Sequence, residues 1–136
     1  MSFDSHGELN IWVQDNIVYL EASGGWNLEK AREFTRTINE IIFPQLTPPF
    51  GVVGILSDDW MPTADAIPHL HEATRIAIKA GMVKEAYVSS SAISSRVTKS
   101  FVLPPDCHQY QSREFSTLEA ALTWLTEDDV VSARSQ

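Results

Sequence analysis

Apolar and polar residues alternate from Leu9 to Val13, with Leu9, Ile11 and Val13 on one side of an extended chain and Asn10, Trp12 and Gln14 on the other. After Asp15-Asn16 the run Ile17-Val18-Tyr19-Leu20 resumes the extended pattern. Asp and Asn tolerate the positive φ of a tight two-residue turn, so a β-hairpin is expected, broken after its second strand by Gly24-Gly25. The period then changes. Leu28, Ala31, Phe34, Ile38, Ile41 and Ile42 recur at helical spacing behind Asn27, whose side-chain oxygen can accept from the open amides of a helix start. Pro44, Pro48 and Pro49 end that helix. Phe50 to Leu56 is almost continuously apolar, the signature of a strand covered on both faces, and is expected at the centre of the sheet.

A second helix is expected with Ile67, Leu70, Thr74, Ala77 and Ile78 as its inward face and Gly81 as its stop. Pro68 restricts its start, leaving Thr63 or Asp65 as cap. Ala86-Tyr87-Val88 reads as a short strand, and Ser90 or Ser91 could cap a weaker helix carrying Ile93, Val97 and Phe101, closed by Pro104-Pro105. Gln109 to Phe115 alternates loosely and is polar enough for a sheet edge. Ser116-Thr117-Leu118-Glu119 matches a capping box and opens a last helix with Leu118, Ala121, Leu122 and Leu125 as its stripe. The order β-β-α-β-α-β-α-β-α predicts an α/β fold, a mixed sheet of about five strands with helices packed against it. A single domain is expected over residues 1–136, with its core at about 7–126 and a polar tail at 127–136.

The formal charge of −8 with scattered Lys and Arg argues against nucleic acid and anionic lipid surfaces as partners. No apolar run reaches the roughly 20 residues of a membrane span. The opening Met-Ser-Phe-Asp-Ser-His segment lacks the basic and apolar regions of a secretory signal, and Cys107 is the only cysteine, so a cytoplasmic setting without disulfides is expected.

Candidate chemistry is sparse. His69 and His71, two apart on a helix, point about 200° apart around its axis and cannot share a metal. Asp58-Asp59 follows the central strand, at the end where open α/β sheets usually bind ligands, and such a pair can hold a cation, act in acid-base chemistry, or simply form a turn and cap the helix. Cys107 and His108 are neighbours in an extended segment and face opposite sides. Ser89, Ser90, Ser91, Ser94 and Ser95 have no companion base in a recognisable motif. Gly24-Gly25 lacks the remaining glycines of a phosphate-binding fingerprint. These residues predict no catalytic site, metal or cofactor. Trp26 and Trp124 are placed in the core, whereas Trp12 and Trp60 are candidates for exposure. Trp12 lies opposite Leu9, Ile11 and Val13 on its strand and suggests a homodimer contact.

The element order and several phrases resemble the SpoIIAA-like branch of the STAS superfamily. The pieces are the opening hairpin, Gly25-Trp26 before the first helix, the strand Val52 to Ser57, the strand Glu85 to Ser89, and the closing Arg113-Glu114-Phe115-Ser116-Thr117-Leu118-Glu119-Ala120-Ala121-Leu122-Thr123-Trp124-Leu125. The resemblance implies a non-enzymatic binding or regulatory module that meets a protein or small ligand at the loop before the second helix, here Asp58, Asp59, Trp60, Met61, Pro62 and Thr63. Antagonists in that superfamily are switched by phosphorylating a serine in an Asp-Ser-Ser-Gly phrase. In this chain Thr63 stands nearest that serine, behind Pro62, and the phrase is absent. Related folds include lipid-binding domains, which implies a second class, a carrier of a small apolar ligand in a pocket between sheet and helices. An exposed patch around Trp60 and Met61 would favour a protein partner, and an enclosed pocket would favour a carrier.

Overall fold

The computed structural model describes residues 7–89 and 111–127. The hairpin forms as expected: β1 (Glu8–Gln14) pairs antiparallel with β2 (Ile17–Ser23) through a turn in which Asp15 and Asn16 have φ of 54° and 63°. Two short strands that no periodicity announced, β3 (Gly25–Trp26) and β5 (Met61–Pro62), pair in parallel as a separate sheet. Helix α1 (Leu28–Thr37) starts at Asn27, whose Oδ1 accepts from the Lys30 amide at 2.9 Å. It runs on into a π-helical turn (Ile38–Ile42) and a short 3₁₀ segment (Phe43–Gln45). Ile41, assigned to the inward stripe, is exposed, because the wider π turn rotates it away from Ile38 and Ile42.

Strand β4 (Phe50–Leu56) is central, in a five-stranded sheet of order β1-β2-β4-β6-β7, where β6 is Met82–Val88 and β7 is Gln111–Phe115. Apart from the hairpin, all of its neighbouring pairs are parallel. Helix α2 (Ile67–Ala80) ends at Gly81, where φ is 123° and a Cβ would come within 2.5 Å of Pro48. Its start corrects the expectation. Ala66 occupies the cap position without a side-chain bond, and the two candidates bond each other, Thr63 Oγ1 donating to Asp65 Oδ1 at 2.6 Å. Pro68 falls in the first turn, where no backbone bond is lost. Helix α3 (Leu118–Leu125) is capped one residue later than the capping box implied, by Thr117 accepting from the Ala120 amide at 3.1 Å. Leu118 is accordingly at the surface, and Ala121, Trp124 and Leu125 face inward. The weaker helix after Ser90, with Cys107, His108 and the tail beyond 127, lies outside the described residues. No helix among the described residues is long and apolar enough to cross a membrane.

The strands alternate side chains into two layers. Val18, Val52 and Leu56 face α1 and α2, whereas Ile17, Val53 and Val88 face α3. Strand β6 was expected only at its end because its alternation is interrupted. The ladder pairs Phe50 with Met82 and then Gly51 with Lys84, so Val83 is an extra residue. Past this bulge Glu85 and Tyr87 join the α1–α2 layer, and Lys84, Ala86 and Val88 turn to α3.

Lys84 is only 2% exposed. Its Nζ donates to the Trp124 carbonyl at 2.7 Å and sits 4.8 Å from the centre of the same residue's indole ring. An ammonium at the carbonyl end of a helix meets the negative end of its dipole, so β6 holds the last turn of α3 from beneath. Hydrogen bonds to charged groups contribute about 1.5–3 kcal/mol. Lys84→Met keeps the stem and removes the donor, and it should lower the unfolding free energy by about that amount in a urea titration. A Met variant as stable as the wild type would show the contact to be neutral.

Candidate functional site

The layer between the sheet and α1–α2 is not completely filled. A cavity of about 70 Å³ lies there, floored by β2, β4 and β6 and roofed by Phe34, Ile38, Leu70 and Ala73. Two features leave it open. Gly54 puts no side chain on the middle of the floor, although a Cβ there would meet Tyr87 Cδ1 at 3.8 Å and nothing closer. The facing positions of α2 are Ala73 and Ala77. A glycine inside a strand costs stability, and here neither a positive φ nor a close backbone approach requires one.

One end of the cavity is closed by Trp26 and Trp60, packed edge to face with ring centroids 5.7 Å apart. Trp60 is 4% exposed, which corrects the expectation that it lies on the surface. The pairing of β3 with β5 turns it inward. Met61 N donates to Gly24 O at 3.0 Å and Thr63 N to Trp26 O at 2.8 Å, drawing the loop after β4 onto the loop after β2. Asp59 ties the two together, since its Oδ1 accepts from the Gly24 amide at 3.1 Å and from the Ser57 hydroxyl. The Ser57 hydrogen bond first, and the Gly24 amide second, hold the Asp59 carboxyl below its usual pKa.

The loop residues singled out by sequence therefore divide. Trp60 is a wall of the cavity, Asp59 is a latch, and Asp58, Met61 and Thr63 are exposed, Met61 at 54%. Trp12 is distant from this end, on the hairpin, stacked on Tyr19 with centroids 5.2 Å apart. Among the described residues no group of three His, Cys, Asp or Glu could hold a metal ion. Sequence reasoning missed Glu85 and Tyr87, which line the cavity. Only the bulge at Val83 brings them to that face, and a local pattern carries no sign of it. Trp26 Nε1 is buried with no acceptor among the described residues.

A group whose folded pKa is depressed contributes stability above its unfolded pKa and loses it as pH falls through the folded value. The latch is therefore closed at neutral pH and loosens only as the pH falls below the ordinary carboxylate range. In hydrogen exchange, corrected for intrinsic rates, the Gly24, Met61 and Thr63 amides should exchange several-fold faster in Asp59→Ala, and the acid-induced loss of protection should disappear with the carboxyl. Unchanged protection would leave the loops joined by β3–β5 alone.

No family model matches the chain, and no curated protein matches it. Among solved structures it is similar to an uncharacterised protein of the DUF3478 family from Shewanella loihica PV-4, described as having a SpoIIAA-like fold. The two are 16% identical, the match covers 92% of this chain and 98% of the other, and the TM-score is 0.57. At that identity the likeness is one of architecture, and it agrees with the mixed five-stranded sheet and its helices: the chain has a SpoIIAA-like fold.

Proposed function

We propose that the chain is a non-enzymatic binding module that takes a small apolar molecule, or the apolar tail of an amphiphile, between the sheet and α1–α2. The loop before α2 closes over it. The observation carrying this reading is the unfilled, largely apolar cavity beneath Trp26 and Trp60, kept open by a glycine that the backbone does not need. An apolar void of about 150 Å³ stays dry and takes up benzene, so a space of about 70 Å³ suits a group of a few carbon atoms. Longer ligands require the lining side chains to move. Binding without catalysis fits walls that offer few dipoles to a charge developing in a transition state.

Contact with a protein at the same loop is the second reading, favoured by Met61 standing exposed beside Asp58 and Thr63. Met61→Ser would weaken such a contact and leave small-molecule uptake unchanged.

The test is titration with n-alkanols from propanol to decanol and the matching alkanes, followed by tryptophan emission and calorimetry. Saturable binding is expected. Gly54→Val should abolish it while raising the unfolding free energy by roughly 0.5–2 kcal/mol, because a strand-favouring side chain fills the void. Absence of saturable binding by every compound, or binding undisturbed in Gly54→Val, would overturn the proposal.

A further inference from the structure

We propose that β1 is a dimerisation edge: two copies of the chain pair their β1 strands antiparallel about a two-fold axis at Ile11, joining two five-stranded sheets into one. The hairpin's backbone fixes which groups are available. Gln14 and Ile17 flank a two-residue turn and form its hydrogen-bonded closing pair. Hydrogen-bonded and non-hydrogen-bonded pairs alternate along an antiparallel ladder, so Trp12–Tyr19 and Asn10–Glu21 are also bonded pairs. Leu9, Ile11 and Val13 consequently direct their N–H and C=O groups away from β2. Among the described residues nothing pairs with them.

Those groups are self-complementary. With Ile11 opposite Ile11 of the second copy, Leu9 lies opposite Val13 and Val13 opposite Leu9, and each such pair exchanges two backbone hydrogen bonds. The same register keeps faces matched. Half-buried apolar residues meet apolar residues on the α1–α2 side, and Trp12 meets Asn10 of the second copy on the other.

Charge selects the antiparallel arrangement. The one charged residue of β1 is Glu8, at its end. Antiparallel pairing sets the two Glu8 residues opposite Gln14 and about 20 Å apart along the strands, beyond the screening length of about 8 Å at physiological salt. Parallel pairing would place them side by side. In a chain of charge −8 this strand is a line of low repulsion. The other edge differs. Strand β7 carries Arg113 and Glu114 in mid-strand, whereas β1 has seven residues in unbroken register with no Pro, Lys or bulge, the usual guards of an exposed edge.

Sedimentation velocity on the full chain, from low micromolar to several hundred micromolar, should show a concentration-dependent monomer–dimer equilibrium. Ile11→Pro removes an outward N–H, and Trp12→Glu brings two like charges to diagonal positions about 7–8 Å apart. Each should weaken dimerisation at least tenfold. Trp12 is 38% exposed, so Trp12→Glu keeps the test decisive even where Ile11→Pro fails to fold. Spin labels at Gln14, in a Cys107→Ser background, should lie roughly 20 Å apart across the dimer. Monomer at every concentration would overturn the proposal. So would a dimer untouched by either variant, which would place the interface elsewhere, or labels in near contact, which would show parallel pairing.

Discussion

Every layer of this molecule is referred to the strand Phe50–Leu56. Its backbone donors and acceptors are taken up by β2 on one side and β6 on the other, both parallel, so its polar groups are satisfied only when segments far apart in sequence have arrived. Its side chains supply both interiors: Val52 and Leu56 to the α1–α2 layer, Val53 to the α3 layer. An uninterrupted apolar run suits this position because neither face meets water. The helices then have no choice of place. Each buries its apolar stripe against whichever face the adjoining strands present, and the two loops leaving the carboxyl ends of β2 and β4 emerge side by side, where Gly24, Trp26, Asp59 and Trp60 meet.

The two layers are finished differently. Beneath α3, Lys84 spends its charge on the Trp124 carbonyl and its ammonium sits against the indole ring of the same residue, leaving that side tied as well as packed. Beneath α1–α2, small residues face one another across Gly54 and a void persists under a tryptophan pair. The cover over that void is held by a few backbone bonds and one exposed carboxylate, contacts that open more readily than a packed core. A tightly closed side and a looser, apolar side fit the proposed holding of a small molecule.

Most of the framework was legible in the sequence because it rests on local signals. Alternation in Leu9–Val13, the Asp15-Asn16 turn, the Asn27 cap, the apolar run of β4, the stop at Gly81 and the polar edge strand ending at Phe115 all need only near neighbours to take effect. What escaped depends on distant partners. Trp60 stands in a polar phrase and looks exposed, but Trp26, far back along the chain, supplies the surface that buries it. β3 and β5 are too short to show a period. Thr63 and Asp65 each suit a helix cap, and they neutralise each other by bonding together. Of the candidate site, the residues pointed to the loop, and a pocket between sheet and helices came only as what the resemblance implies, because an empty volume is a property of packing that no residue carries alone.

The bulge at Val83 also governs how this strand can change over evolutionary time. Side chains in a strand alternate, and because Val83 is the extra residue, Lys84 stands opposite Gly51 and faces α3, as it would in a regular ladder without Val83. Drawing Val83 into the ladder opposite Gly51 would instead carry everything from Lys84 to Val88 to the opposite face. The ammonium of Lys84 would then enter the cavity, the carboxyl of Glu85 would lie beneath α3, and Tyr87 would exchange layers with Ala86 and Val88. A single-codon deletion at the bulge leaves both interiors as they are, whereas an added residue between Lys84 and Val88 would send those behind it to the wrong layer. Descendants of this chain can therefore vary the length of β6 most readily at Val83.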